Sequence, residues 1–315
     1  MNDSVTDIQR RPDLLAISAA LITVVLWASA FVGIRAAAAD LSPGSIALGR
    51  LIVGSRALGV LVATRGLVRP SRRDALRIIA AGVIWYALYN LSLNEAERVV
   101  DAGTASMLVN TGPIFIAILA GLFLGEGLPP RLLLGCAVAF AGTVTIGFAV
   151  SGSAAGTNPA FGIALCLISA VAYALGVTLQ KPTLRSVPAL QMTWLGFVSA
   201  SIVCLPFVPG LVTELGHAQP SNVAWLVYLG LFPTAIGFVT WAFALSRTRA
   251  GQLGSTTYLV PVVVIVISWL ILGEVPTPLA LAGGALCIGG VVVARSSWSP
   301  FAGRPLSEAV VDAAD

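Results

Sequence analysis

Several polar and aromatic side chains interrupt otherwise apolar runs of this chain, and their types suit recognition of a small solute better than bond-making. Asn110 and Thr111 precede Pro113, Thr256, Thr257 and Tyr258 precede Pro261, and Thr234, Phe238 and Trp241 follow Pro233. Trp85, Tyr86, Tyr89 and Asn90 fall within about 140° of arc at 100° per residue. A lipid-facing stripe rarely carries an amide, so that arc should face water. With Trp27, Ser29 and Tyr173, these residues would line one chamber if matching helices meet. Such a wall joins large apolar area to hydroxyl, indole and amide donors, and it fits an apolar or aromatic side group.

The prolines are candidate hinges. Each of Pro113, Pro233 and Pro261 removes a backbone hydrogen bond and frees a carbonyl one turn earlier, which could face a ligand or merely kink the helix. Arg50 and Arg56 are the charges set deep in an apolar run, and a guanidinium buried without water or a partner is costly. Arg56 should therefore reach a cavity, a carbonyl cluster or the inner surface. Arg50 should snorkel outward, anchor helix packing or meet a carboxylate. The two point about 120° apart, so at most one faces a ligand directly. Glu126 and Glu274 stand between helices, where a carboxylate caps the next helix. The sequence has no Walker or dinucleotide motif, no Cys/His cluster that suggests a metal, and one histidine, His217, without a nucleophile pattern around it. No catalytic pair, metal or cofactor is expected.

These residues sit on elements that only a bilayer could house. Hydrophobic residues make up 57% of the 315-residue chain and charged ones 10%, and the mean hydropathy is +0.93. No single soluble core hides that much apolar surface. Cys136, Cys166, Cys204 and Cys287 all lie in apolar runs and should pack rather than pair. AGTASMLVNTGPIFIAILAGLFLGE (102–126) and AGQLGSTTYLVPVVVIVISWLILGE (250–274) align without a gap at one offset, 148 residues (126 to 274). The chain is a tandem duplication.

Ten spans are expected, at about 14–36, 45–64, 75–93, 103–124 and 132–150, then 161–179, 189–208, 223–245, 253–272 and 279–294. An apolar helix of about 20 residues crosses the hydrocarbon core. Five spans per copy reverse the second copy, so the fold class is an all-α polytopic membrane protein, ten transmembrane helices in two inverted-topology five-helix repeats. The boundaries are a tail at 1–13, a first repeat at 14–150, a linker at 151–159, a second repeat at 160–295 and a tail at 296–315. Arginine and lysine concentrate in alternate loops, leaving Arg35 and Arg98 on the other side, which puts both termini in the cytoplasm. Glycines of the fifth and tenth spans (Gly135, Gly142, Gly283, Gly284, Gly289, Gly290) read as close helix packing or a dimer face.

The arginine-bearing second span (IALGRLIVGSRA), the proline-centred fourth and ninth spans and the doubled LGE…P pattern resemble the drug/metabolite transporter superfamily, EamA type, over nearly the whole chain. Within it the chain is most similar to the bacterial aromatic amino acid and methionine exporter branch. The resemblance implies helices around a central cavity, alternating access, and export of amino acids or related small metabolites from bacteria across the inner membrane, by a monomer or homodimer with lipid around it and no nucleic acid partner. It also implies a second-span arginine at Arg50. The alternatives are a sugar-phosphate or nucleotide-sugar exchanger of the same superfamily, which would need clustered cations in the chamber, or a channel. Every Asp and Glu lies in a tail, a loop or a helix end, so transport is expected to run without obligatory proton coupling.

Overall fold

The computed structural model describes residues 13–123, 130–151, 158–248 and 250–295. The tails beyond them, most of the linker, and Glu126 and Pro129 of the first LGE…P pattern lie outside the described residues. The described residues form helices and no strands. In chain order these are α1 (Leu14–Ala37), α2 (Pro43–Arg65), α3 (Arg72–Ala96), α4 (Ala102–Phe123), α5 (Pro130–Ser151), α6 (Pro159–Thr183), α7 (Ala189–Val203), α8 (Val208–Leu215), α9 (Pro220–Arg247), α10 (Leu259–Leu272) and α11 (Pro278–Arg295).

Six of them, α1, α2, α3, α4, α6 and α9, are long and apolar enough to cross a membrane. The run through α7 and α8 passes only as a pair bent by 57°. Shorter apolar helices lie within α5 and α11, and α10 is itself short. Large apolar side chains such as Leu61, Phe140, Trp269 and Leu270 are exposed on these helices, which suits hydrocarbon as the solvent.

Helix starts follow local chemistry. Ser42 precedes Pro43 and accepts from the Ser45 amide, Asp101 accepts from the Thr104 amide at 2.8 Å, and Asn158 precedes Pro159. Side-chain caps and a proline in the first turn satisfy amides that have no partner in the helix. Glu274 does not cap α11. Thr277 does, accepting from the Ala280 amide at 3.2 Å, because the hydroxyl three residues ahead has the reach that a capping geometry needs.

The duplication reappears in the packing. α5 lies along α11, where a Cβ on Gly142 would stand 2.5 Å from the Gly283 carbonyl, and one on Gly290 would stand 2.5 Å from the Gly135 carbonyl. Residues 142 and 290, and 135 and 283, are each related by the 148-residue offset. One contact is thus the copy of the other, and the two helices run antiparallel. The expected close packing is present at Gly135, Gly142, Gly283 and Gly290, since backbones approach this closely only where no side chain intervenes, but not at Gly289, where a Cβ would meet nothing within 4 Å.

A second repeated feature is absent from the sequence reading. Gly82–Leu88 in α3 and Gly230–Ile236 in α9 are π-helical, again 148 residues apart. Gly82 faces the Gly196 carbonyl of α7, and Gly230 faces Val53 of α2. A π turn has more residues than an α turn, so the direction of every ring after Gly82 departs from a 100° count.

Candidate functional site

The breaks in α4 and ahead of α10 open a cavity between the repeats. Asn110 ends the first half of α4, and Pro113 has no N–H to give the Val109 carbonyl. Ser255–Tyr258 forms a 3-10 turn ahead of Pro261, which likewise leaves the Thr257 carbonyl without that bond. Val109 and Thr257 are 148 residues apart in the chain and both stand on the cavity wall. The Thr257 hydroxyl donates to Asn110 Oδ1 at 3.4 Å, so the two broken segments meet there.

The cavity and its mouth together hold about 560 Å³ of atom-free space, open solvent included, of which only about 40 Å³ is room for the centres of water-sized molecules. Trp27, Arg50, Trp85, Tyr89, Asn110, Tyr173, Phe238 and Thr257 stand on its wall, eight of the residues that the sequence singled out. Trp27 lies 6.1 Å from Trp85 and 5.2 Å from Phe238 between ring centroids, and Trp85 lies 5.3 Å from Tyr173. Edge and tilted contacts of this kind hold aromatic walls in place. The remaining wall is Ala30, Phe31, Leu93 and Val260 beside Val109. Sequence reasoning did not name them, although Phe31 and Leu93 lie one turn beyond Trp27 and Tyr89 on the same helix faces.

Arg50 does not snorkel outward. Its side chain is 3% exposed, and Nε donates to Thr234 Oγ1 at 2.8 Å. Its two terminal nitrogens have no protein partner among the described residues. Thr234 therefore fixes one edge of the fork and leaves the other on the cavity side. Arg56 is exposed.

Other singled-out residues stand back from the wall. Trp241 packs behind Trp27, with centroids 4.9 Å apart. Tyr86 is turned away from the cavity, and its hydroxyl is bound by the Gln180 amide. Asn90 donates to the Tyr86 carbonyl at 2.7 Å. Ser29 bonds the Tyr228 hydroxyl at 2.7 Å, and the Thr111 hydroxyl donates to the Leu108 carbonyl at 2.8 Å. Pro233 lies within the second π segment. The side chain of Tyr258 is outside the described residues.

Glu97 stands at a helix end, as the sequence places it, yet it is buried. This residue follows the last turn of α3 and is 1% exposed. The loop to α4 is covered by α6, where Gly162 abuts Val99 and Val100, so a helix end that reads as surface is folded inward. Arg35, at the end of α1, donates to the Glu97 carbonyl and pairs with Glu274. At the end of α6, Lys181 donates to the Leu245 carbonyl at 2.6 Å. Residues 97 and 245 are again 148 apart, so a cation on the first helix of each repeat closes the end of the third.

Residues 14–148 and 160–296 each match the EamA-like transporter family. The chain belongs to this family. Among curated relatives, a probable terminal-alkyne amino-acid exporter of Streptantibioticus cattleyicolor is 38% identical over 278 residues, 88% of this chain and 92% of that protein. The uncharacterized transporter YdfC of Bacillus subtilis is 35% identical over 270 residues, 86% and 87% of the two chains. A probable amino-acid metabolite efflux pump of Salmonella typhimurium is 26% identical over 285 residues, 87% and 92%. A crystal structure at 20% identity superposes with a TM-score of 0.65 over 89% of this chain and 96% of its own, which shows a shared fold. This EamA-like protein is a membrane transporter and not an enzyme.

Proposed function

We propose that this EamA-like protein exports amino acids with apolar or aromatic side chains, or closely related zwitterions, by alternating access. The observation that carries the reading is the half-held Arg50 fork in an aromatic cavity. A carboxylate can take two parallel hydrogen bonds from the terminal nitrogens, while Asn110 and the Val109 carbonyl, which Pro113 cannot serve, offer acceptors to an ammonium group. The side chain would then lie among Trp27, Trp85, Tyr173 and Phe238. The amino-acid exporter names of two relatives agree with this substrate class.

A doubly charged phosphate would lose its hydration for a single cation on the described wall, Arg50, which argues against a sugar-phosphate or nucleotide-sugar exchanger. We read the bent α7–α8 pair and the shorter apolar helices as further spans, which would complete the ten of the inverted plan, in the inner membrane with both termini cytoplasmic.

Counterflow in proteoliposomes tests the substrate. Labelled leucine, methionine or phenylalanine should exchange, whereas their carboxyl-blocked esters and sugar phosphates should not compete. Arg50→Gln should weaken competition by the free amino acids about tenfold or more, the worth of a charge-assisted hydrogen bond. Equal competition by esters and acids would remove Arg50 from recognition.

A further inference from the structure

Glu97 is a carboxyl group that the substrate cavity does not use. Both of its carboxyl oxygens are buried without a hydrogen-bond partner among the described residues. Charged and titratable groups approach it from each neighbouring element: Arg35 from α1, Arg50 from α2, Asp101 at the start of α4, Cys166 from α6, Glu274 after α10, and Tyr89 on its own helix. The nearest positive charge already has work. Arg35 donates to the Glu97 main-chain carbonyl, and its Nε and Nη2 both reach Glu274 Oε1, with Nε at 3.1 Å. That pair ties the end of α1, in the first repeat, to the segment ahead of α11, in the second.

We propose that Glu97 is a proton-binding site that controls closure of the transport pathway at the Arg35–Glu274 end. The neutral acid can remain buried without a partner at modest cost, and Arg35 then serves Glu274. The ionised form cannot remain so, because a bare carboxylate in an apolar setting needs water or a cation. Arg35 is already hydrogen-bonded to the same residue's carbonyl. A small rotation brings its fork onto the Glu97 carboxylate, releases Glu274 and unties the two repeats at this end. Proton loss thus opens the end, and proton uptake closes it.

Burial pushes the Glu97 carboxyl well above the ordinary glutamate value of 4.5, the Arg35 charge offsetting only part of this. In the open, hydrated state the value falls back toward the ordinary one. The closed state therefore holds its proton more tightly and is favoured in acid. Its advantage is lost as pH rises from the ordinary value through the raised one.

The inference rests on the transporter reading but not on the substrate, so its first readout needs none. Acrylamide quenching of tryptophan fluorescence should be followed in the full chain in nanodiscs from about pH 5 to about pH 9, the range that buried glutamates reach. Trp27 and Trp85 on the cavity wall supply the pH-dependent part of the quenching, read above a constant background from the chain's five other tryptophans. In the wild type, quenching should rise at least twofold along one sigmoid. Glu97→Gln should stay at the acid limit throughout, Glu274→Gln should be quenched strongly at every pH, and Glu97→Asp should keep a sigmoid with a moved midpoint. Glu95→Gln, a neighbour on the same helix outside this cluster, should follow the wild type.

A flat wild-type curve, or Glu97→Gln tracing the wild-type sigmoid, overturns the proposal. If Glu97→Gln does not fold, Glu97→Asp decides, since an unmoved midpoint would overturn it equally. In proteoliposomes, wild-type counterflow should change with pH while Glu97→Gln retains counterflow at a rate that no longer does. A wild type that exchanges no amino acid would defeat the substrate reading alone and leave the quenching result standing.

Discussion

Trp85 and Tyr86 are adjacent, both aromatic and both about 1% exposed, yet they have different work. Trp85 stands on the cavity wall, while Tyr86 holds Gln180 between α3 and α6. Tyr86→Phe should lower stability by about 1 kcal/mol, the net worth of one hydrogen bond, with more lost if Gln180 is left unsatisfied. It should leave the order of preferred substrates as it was. Trp85→Ala removes part of the wall and should shift that order among side chains of different size. Thermal unfolding together with a counterflow panel separates the two. A changed substrate order in Tyr86→Phe would return that residue to the site. On the sequence alone the pair was indistinguishable, because both side chains fall in one arc when every residue advances by 100°.

The π segments are the elements that create this difference. Each opens on a glycine pressed against another helix, with a built Cβ at 2.5 Å from the Gly196 carbonyl for Gly82 and at 2.5 Å from Val53 Cβ for Gly230. A methyl group at either place must push helices apart, and overpacking of this kind costs about 1–3 kcal/mol. Gly82→Ala and Gly230→Ala should each lower the unfolding midpoint. Gly230→Ala should in addition weaken substrate competition, because Thr234 of the same segment holds Arg50. Gly289, whose Cβ would meet nothing within 4 Å, serves as the control, and Gly289→Ala should unfold with the wild type. An unaltered midpoint in both π-segment variants would show that the close approaches are not tight in solution.

At the scale of the whole molecule, the two ends of α1 make different ion pairs. Asp13 at the start of α1 pairs with Arg247 at the end of α9 at 2.9 Å, and Arg35 at the other end of α1 pairs with Glu274. The basic segments at 65–77, with five arginines, and at 181–185, with Lys181 and Arg185, belong with Asp13 on the cytoplasmic side if positive charge governs insertion. Reporter fusions after Arg295 should then be active in the cytoplasm, and those within 151–158 outside it. Both reporters on one side would rule out the inverted plan.

The sequence by itself determined the solvent, the duplication and the broken helices. Composition excludes a water-soluble core, one constant offset relates residues 102–126 to 250–274, and a proline cannot complete a helical hydrogen bond wherever the chain places it. It also supplied most of the polar and aromatic wall, since a hydroxyl, amide or indole in an apolar run is costly unless something beside it uses it. The tertiary structure decided which of those groups share a cavity. Arg50 turns inward because Thr234, from the other repeat, holds its Nε. Tyr86 turns away because a π turn changes the helix phase ahead of it. Glu97 is buried because α6 covers a loop that the chain alone presents as surface. Each of these depends on a contact between residues far apart in sequence, and neither hydropathy nor periodicity carries information about such contacts.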